Sequence, residues 1–441
     1  MHDGETGMDP GEKPKPEECN EHVPGMSRRR MLTGIGVLGA AGIGVAGGFV
    51  GGRPSAPTKD ETPGDESSAA GGIVDFRGAN QAGIVTEQQD RMMFATFNVT
   101  ATSAAELREM LRDWTAAAEG MTKGQLIPGV QGEPQAPPPD TGEAVGLRTS
   151  HLTITIGYGP SLFDDRFGLA GQKPARLGAL PALPGDNLDP AYTGGDIAVQ
   201  VCGDDPQVNF HAVRNLARIG TGTVVLNWTE TGFGRTSSTS SAQATPRNLL
   251  GFKDGTRNIS ADQKDLLNSY VWIGDESEQA WVRGGSYLVA RRIRMFINQW
   301  DRDYLADQEN VIGRYKITGA PLTGTQEFDP PDFPAKQVSG EPTIPDNAHI
   351  RLTAHENNNG IRILRRGYSF TDGIDATGNL LSGLFFIAYM KDPQQFITLQ
   401  RKLGAQDALN EYIQHIGSAL FVCPPGLAPG QDWAAQLPFP T

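Results

Sequence analysis

Residues 91–114 read RMMFATFNVTATSAAELREMLRDW, and this stretch indicates the type of fold. Residues 91–99 have the apolar and aromatic content of a β-strand. Ser103 then offers a helix N-cap, with Glu106 three residues later in the capping-box pattern. Apolar residues continue at helical spacing as far as Trp114. The chain therefore begins its folded part with a strand followed closely by an amphipathic helix.

Further strands and helices follow in the same alternation. In the first half we predict strands at Leu152–Tyr158, Ile197–Cys202 and Thr223–Trp228, with a helix opening at Asp205-Pro206. In the second half we predict strands at Ser286–Phe296, Arg362–Phe370, Leu384–Met390 and Ile416–Val422, and helices at Asp303–Gly313 and Pro393–Leu403. Each half then has the order strand, helix, strand, strand, helix, strand, which is the split βαβ pattern.

The predicted fold class is therefore α+β, with two ferredoxin-like modules and antiparallel β-sheets. Residues 76–270 form the first module, and residues 271–441 form the second. The repeat is one of topology, because the two halves share no matching residue pattern.

The amino terminus is predicted to be an export signal, residues 1–56, followed by a disordered linker, residues 57–75. SRRR at residues 27–30 is a twin-arginine pattern, and an uncharged run of residues 31–52 follows it. The many glycines of that run argue against a stable membrane-spanning helix. We expect export by the twin-arginine machinery to a periplasm, a cell wall or the medium. That route carries folded proteins, so a cofactor can be inserted first.

Charge and cysteine content exclude some classes of function. The net charge is −13, which argues against nucleic acid as a partner. Cys19 lies in the signal region, which leaves Cys202 and Cys423. Two cysteines are too few for a disulfide scaffold or a thiolate zinc site. Two buried thiols and a single disulfide both remain open.

Two stretches carry residues suited to chemistry. Residues 347–370, NAHIRLTAHENNNGIRILRRGYSF, hold His349 and His355, two of seven histidines, together with four arginines. A neutral imidazole suits a metal such as iron, and a guanidinium suits a developing anion. A core histidine beside a solvated basic strand is the alternative. Residues 245–258, TPRNLLGFKDGTRN, indicate either a turn or a backbone that approaches a flat ligand closely at its glycines.

Several ordered motifs together resemble the dye-decolorizing peroxidase family. They are GPSLFDDRFGL (159–169), GGDIAVQVCGDDPQV (194–208), GFKDGTRN (251–258), HIRL (349–352), RILRRGYSF (362–370), GLFFIAYMKDP (383–393) and NEYIQHIGSALFVCPPG (410–426). The similarity runs from about residue 75 to residue 435, and the twin-arginine signal is similar to that of the exported bacterial branch.

The resemblance implies one haem b in the second module, with hydrogen peroxide as oxidant and a dye or phenolic reductant oxidised one electron at a time. By motif position, His349 matches the proximal iron ligand, with His355 as the competing ligand. Asp254 matches the distal acid that shuttles a proton, and Arg365 matches the distal arginine that stabilises negative charge.

Further residues are assigned by the same resemblance. Asn258 matches a distal asparagine, and Leu384 and Phe386 match apolar walls of the distal pocket. Glu411, or its neighbour Asn410, is the expected hydrogen-bond acceptor for the second ring nitrogen of the proximal histidine. Arg351 is a candidate for binding a haem propionate, with a surface salt bridge as the alternative.

Two functional expectations follow from this assignment. A carboxylate with an ordinary pKa of about 3.9 stays ionised in mild acid, where a histidine is protonated, so we expect the best turnover at acid pH. Bulky reductants cannot reach a buried haem, so electrons are expected to pass through aromatic residues. The candidates are Tyr368, Tyr389, Trp272 and Trp300. An exported protein that releases iron from haem and a non-enzymatic haem carrier are the alternative functions.

Overall fold

The computed structural model describes residues 72–129 and 134–440. The predicted signal, Cys19 and nearly all of the predicted linker lie outside these residues. No helix within the described ranges has the length and apolar content that a membrane span requires.

The strands of the described chain are β1 (Arg91–Val99), β2 (Thr153–Tyr158), β3 (Ile197–Gly203), β4 (Val224–Arg235), β5 (Ser286–Met295), β6 (Leu364–Arg365), β7 (Tyr368–Ile374), β8 (Leu380–Met390) and β9 (Ile413–Cys423). The α-helices are α1 (Ala104–Thr122), α2 (Pro206–Ile219), α3 (Lys264–Tyr270), α4 (Ile297–Trp300), α5 (Leu305–Ile312), α6 (His349–Thr353), α7 (Gln394–Gln406) and α8 (Trp433–Gln436).

The strands form two antiparallel four-stranded sheets with the same internal order. The first sheet runs β4-β1-β3-β2, and the second runs β7-β8-β5-β9. In each, the first and last strands of the module are neighbours, which is the ferredoxin-like arrangement. The predicted α+β fold of two such modules is confirmed.

The two sheets also join into one closed ring, which the sequence did not predict. Strand β4 pairs with β7, and β2 meets β9 at Tyr158 and Val422. Side chains from strands that are not neighbours meet inside the ring. The ring of Phe94 on β1 lies 5.2 Å from that of Phe385 on β8 and 6.2 Å from that of Phe421 on β9. A closed ring leaves few open sheet edges.

Local sequence signals explain the helices of the first module. The Ser103 side chain accepts a hydrogen bond from Glu106 N, and the Glu106 carboxylate accepts one from Ser103 N, so the capping box is confirmed. Asp205 caps α2 by accepting from Gln207 N at 2.7 Å. The fully buried Trp114 lies on the inner face of α1. Its indole N–H donates to the carbonyl of Leu216 on α2 at 2.8 Å.

The structure decides three local points: the conformation at His349, the continuity of one predicted strand and the state of the two cysteines. His349 begins helix α6 and is not part of an extended chain. The predicted strand Arg362–Phe370 is split into β6 and β7, and between them Gly367 packs so closely that an added Cβ would lie 2.7 Å from Thr236 Oγ1. Cys202 and Cys423 are both free and buried, so the disulfide alternative is not formed.

Candidate active site

A large cavity lies in the second module between the sheet and helices α6 and α7. Side chains alternate along a strand, and alternate residues from one part of each of β5, β8 and β9 face the cavity. Its floor consists of Arg291, Ile293 and Met295 of β5, Leu384 and Phe386 of β8, and Ile413 and His415 of β9. The cavity contains about 1700 Å³ of empty space, part of which is open to solvent. Leu384 and Phe386, which were predicted as apolar walls of the distal pocket, both line this cavity.

The glycine-rich motif closes another side of the cavity. Gly255 has φ +94°, and a Cβ on it would lie 2.8 Å from Ser237 Cα, so this turn requires glycine. The turn places Asp254 in the cavity wall, where its main-chain N–H donates to Pro246 O at 2.9 Å. The sequence signals for a turn and for a ligand-facing backbone thus apply to the same residues.

Asp254 and Arg365 form an ion pair at the cavity wall. Arg365 Nη1 donates to Asp254 Oδ1 at 2.6 Å, and Asn248 Nδ2 donates to the other carboxylate oxygen at 3.2 Å. Asn258 holds the main chain of Arg365 from both sides: it accepts from Arg365 N and donates to Arg365 O, each at 2.8 Å. Asn258 is not among the lining residues, so it positions Arg365 and does not itself face the cavity as expected.

The hydrogen-bond partner of His349 is Asp407, at 2.6 Å between Nδ1 and Oδ2. The prediction of Glu411 is wrong, because Glu411 Oε1 accepts from Gln299 Nε2 at 3.2 Å. The rival Asn410 donates to Leu403 O instead. Asp407 also caps the next short turn by accepting from Leu409 N at 2.9 Å. An aspartate just before ALNE is an N-cap signal that could have singled out this residue.

The environment of His349 leaves one ring nitrogen free for a ligand. Burial lowers the pKa of His349, but the carboxylate of Asp407 outweighs burial, and the net direction is upward. Asp254 adds to the upward shift and Arg365 opposes it, so both lie within electrostatic reach. Nδ1 is held by Asp407, and no described side chain hydrogen-bonds to Nε2. The exposed 30% of the side chain belongs to the cavity lining.

His355 also lines the cavity, but its ring nitrogens are occupied. Nε2 accepts from Arg362 Nη2 at 2.6 Å, and Nδ1 lies 2.9 Å from Glu356 Oε2 and 3.3 Å from Arg257 Nη2. Burial and the neighbouring Arg362 lower the pKa of His355. Of the two candidate histidines, His349 is the one with a nitrogen available to a metal.

Arg351 is not among the residues that line the cavity, so the structure gives no support to its assignment as a propionate ligand. Its guanidinium donates to Phe333 O at 2.7 Å and Ile344 O at 2.9 Å, and it pairs with Asp346 at 2.8 Å. The reason is helical geometry, since residues two apart on a helix do not share a face. The salt-bridge alternative is the one observed.

The four aromatic candidates for electron transfer lie in different places. Tyr368 and Tyr389 are fully buried in the core inside the strand ring, and Trp272 packs against that core. Trp300 instead makes an edge-to-face contact with Phe252, which lines the cavity, at 5.8 Å between ring centroids. Its other side meets Tyr412 at 4.9 Å.

The residues present fit an iron held in a macrocycle. The described residues contain no group of three or more His, Cys, Asp or Glu that could hold a bare metal ion. A single imidazole with a free Nε2 suits a metal that takes one ligand from the protein and its other ligands from a porphyrin. The apolar side chains of the floor, Ile293, Met295, Leu384, Phe386 and Ile413, suit the faces of a flat ring, and Asp254 of the motif lines the same cavity.

Comparisons with known proteins show the family to which the chain is similar. Residues 81–234 match the model for the N-terminal domain of Dyp-type peroxidases, and residues 245–428 match the C-terminal one. A curated deferrochelatase of Yersinia pseudotuberculosis is 36% identical over 439 residues, covering 97% of this chain and 98% of the relative.

Solved structures show the same similarity. The oxyferrous/water mixed complex of DtpA from Streptomyces lividans is 36% identical, with a TM-score of 0.77 over 85% of this chain and 99% of that one. A DypB variant from Rhodococcus jostii in complex with heme is 22% identical, with a TM-score of 0.56 over 78% of this chain and 95% of that one. The second similarity concerns the fold alone.

Proposed function

The chain belongs to the Dyp-type peroxidase family of haem oxidoreductases, and we propose that it is an exported haem b peroxidase. In this proposal it uses hydrogen peroxide to oxidise dyes, phenolics or similar reductants one electron at a time. The observation that carries the proposal is the Asp254–Arg365 ion pair in the same cavity as the Asp407-bound His349.

Each side chain has a defined task in this proposal. Haem supplies the redox chemistry when it is bound. His349 would bind the iron through Nε2, and Asp407 orients the ring and makes it more electron-rich by accepting from Nδ1–H. Asp254 would accept a proton from hydrogen peroxide at its carboxylate and return it to the departing oxygen. Arg365 places a fixed positive charge beside that oxygen, and Asn258 fixes the main chain of Arg365.

Rapid mixing of the haem-loaded protein with hydrogen peroxide tests the proposal. Asp254→Asn should retain haem but lose roughly 10²-fold or more in the rate of the peroxide reaction, because general acid–base catalysis contributes that much. An unchanged rate would remove Asp254 as the proton shuttle. Wild-type turnover should be best at acid pH, and a profile that collapses below about pH 6 would point to a histidine instead.

A second candidate function is the release of iron from haem. The observation in its favour is the name deferrochelatase on relatives that match 97% of this chain. It predicts free iron and an intact metal-free porphyrin when haem and a reductant are incubated with the protein. A chelator assay for iron and the fluorescence of the porphyrin measure both products. Haem that is retained through many peroxide turnovers favours the peroxidase.

Export is part of the proposal and rests on the twin-arginine pattern at residues 27–30. Replacing Arg28 and Arg29 together by lysine should leave the folded protein in the cytoplasm. Cell fractionation measures this, and unchanged export of the variant would contradict the assignment of the signal.

A further inference from the structure

Asp254 is hydrogen-bonded through both of its carboxylate oxygens. Arg365 Nη1 donates to Oδ1 at 2.6 Å, and Asn248 Nδ2 donates to Oδ2 at 3.2 Å. All three side chains line the cavity. Arg365 has a task in the proposed function, whereas Asn248 has none so far. The second contact therefore raises the question of what a neutral amide does beside the proton shuttle.

The amide of Asn248 has one favourable orientation. Its Oδ1 accepts from the main-chain N–H of Leu250 at 3.1 Å, and a main-chain N–H can only donate. The reversed amide would place donor against donor at Leu250 and acceptor against acceptor at Asp254. Leu250 is itself fixed, because its carbonyl accepts from the indole N–H of the buried Trp300 at 3.1 Å. Nδ2 of Asn248 is therefore the atom that faces Asp254, as a donor.

Main-chain hydrogen bonds hold Asn248 and Asp254 at a fixed separation. Asn248 N donates to Phe252 O at 3.0 Å, and Asp254 N donates to Pro246 O at 2.9 Å. The two residues thus lie on facing arms of one tight loop, residues 246–254. The position of the amide relative to the carboxylate is set by the loop and not by two freely rotating side chains.

The other charged groups around the loop do not bond to Asp254. They lie on the loop, on the segments that face it and elsewhere in the cavity lining, and each has another partner. The partners are main-chain carbonyls for Arg247 and Arg314, the carboxylates of Glu327 and Glu356 for Lys253 and Arg257, Gln308 for Lys316, and Asp407 for His349. Among the described residues, one guanidinium and one amide therefore set the hydrogen bonding of this carboxylate.

We propose that Asn248 is a positioning residue of the peroxide reaction, and that it holds the carboxylate of Asp254 so that Oδ2 takes the proton. The inference rests on the proposed function, since it takes Asp254 to be the proton shuttle. The charge-assisted bond from Arg365 is the shorter and stronger of the two, so Oδ1 keeps that partner. A carboxylate oxygen accepts at two sites, so the amide leaves one site of Oδ2 for the proton. That proton comes from hydrogen peroxide and returns to the departing oxygen, which leaves the carboxylate unchanged.

Two substitutions separate positioning from a merely structural role. Asn248→Asp keeps an oxygen for the Leu250 N–H but loses the donor to Asp254, whereas Asn248→Ala loses both. In the haem-loaded, full-length protein each should slow the peroxide reaction about tenfold at about pH 7, because a small misplacement of a reacting group has a cost of this size. Stopped-flow spectra measure the rates.

The pH dependence of Asn248→Asp is a result that a structural role would not produce. Two adjacent carboxylates raise the pKa of one of them, so the new carboxyl takes up a proton in mild acid and can donate again. The rate relative to wild type should rise from about one tenth at about pH 7 towards one at about pH 5. Asn248→Ala should show no such recovery.

A double-mutant cycle tests whether Asn248 acts through Asp254. In the Asp254→Asn background, Asn248→Ala should change the remaining rate less than about twofold, because the group that it positions is gone. Asn215→Ala is the matched control. Asn215 also accepts from a main-chain N–H, that of Thr141, and donates to a side chain, but it does not line the cavity. The folded control variant should react at the wild-type rate.

Three results would overturn the inference: wild-type rates in both Asn248 variants, a loss in Asn248→Asp that is equal at both pH values, or a loss in Asn248→Ala that is as large without the Asp254 carboxylate as with it. If Asn248→Ala does not fold, Asn248→Asp decides, alone and combined with Asp254→Asn. Failure of the proposed function gives a different result, since Asp254→Asn itself then reacts at the wild-type rate. A loss in Asp254→Asn with none in the Asn248 variants would refute this inference alone.

Discussion

The two modules share a strand order but use the layer between sheet and helices differently. In the first module the layer is filled, and the rings of Phe97 on the sheet and Trp114 on α1 touch at 5.0 Å between centroids. In the second module the same layer contains the cavity, and Phe386 and Phe396 are 6.0 Å apart at its edge. A fold repeated within one chain can thus provide a core in one copy and a binding site in the other.

The helices account for this difference. Helices α1 and α2 of the first module have 19 and 14 residues and cover the sheet with apolar side chains. In the second module α7 has 13 residues, but α6 has only 5 and is followed by loop. The shorter cover leaves a gap, and the glycine-rich motif and α6 bring Asp254 and His349 to it.

The largest expected effect is on the rate of the peroxide reaction, and it is found by removing one arginine from each module in turn. Arg365→Leu should slow the peroxide reaction by about 10³-fold, or about 4 kcal/mol, because it removes a preorganised charge. Arg166→Leu in the first module removes a guanidinium that pairs with Asp164 and Asp196 and does not line the cavity, and it should leave the rate of the folded enzyme unchanged. Stopped-flow spectra measure both rates. Equal losses would show that the charge of the second module has no special role.

Truncating a leucine in each layer tests whether one is filled and the other open. Leu111→Ala in the first module removes a fully buried side chain and should lower the free energy of unfolding by about 3 kcal/mol. Leu384→Ala borders the existing cavity, so it creates less new void and should cost about 1 kcal/mol. Urea unfolding of the haem-free protein gives both values, and equal costs would contradict the comparison.

Acid should destabilise the second module through His415. Burial lowers the pKa of His415 to about 3, with Arg291 adding to the effect. A histidine with a lowered pKa contributes its full share of the free energy of unfolding above its unfolded-state pKa of about 6.5. That contribution is lost as the pH falls towards about 3. Between pH 6.5 and 5 the loss is about 2 kcal/mol. His415→Leu should lack this part of the pH dependence of unfolding, and an unchanged slope would exclude His415 as its source.

The smallest expected effect is on haem affinity or peroxide reactivity. It distinguishes Asp407, the observed hydrogen-bond partner of His349, from Glu411, the predicted one. Asp407→Asn keeps a side-chain oxygen for capping but loses the negative charge behind the imidazole. It should lower haem affinity or peroxide reactivity roughly tenfold, the usual cost of losing such a partner. Glu411→Gln should change neither, since Glu411 contacts Gln299. Loss in Glu411→Gln alone would restore the original prediction.

Signals that are local in sequence predicted most of the fold. The capping box at Ser103, the N-cap at Asp205 and the bounds of β1 all follow from residues a few positions apart. The closure of the two sheets was not predictable in this way. Its seams consist of one residue pair at Tyr158 and two pairs near Phe233, and such short contacts leave no pattern in the sequence.

The site was predictable where a motif fixed the position and not where the local geometry was misjudged. Asp254, His349 and Arg365 came from the resemblance, and all three line one cavity. Arg351 does not line the cavity because the segment is helical, so His349 and Arg351, two residues apart, do not share a face. Asp407 has a local N-cap signal, but it lies 58 residues from His349, so only the tertiary structure shows that the two are partners.

The most direct test of the account is the spectrum of the axial ligand in two variants. His349→Ala should lose the iron–imidazole signature of the loaded protein, whereas His355→Ala should keep it, because both nitrogens of His355 already have partners. Electron paramagnetic resonance of the ferric proteins measures this signature. Loss in His355→Ala with retention in His349→Ala would contradict the assignment of the second-module cavity as a haem site held by His349.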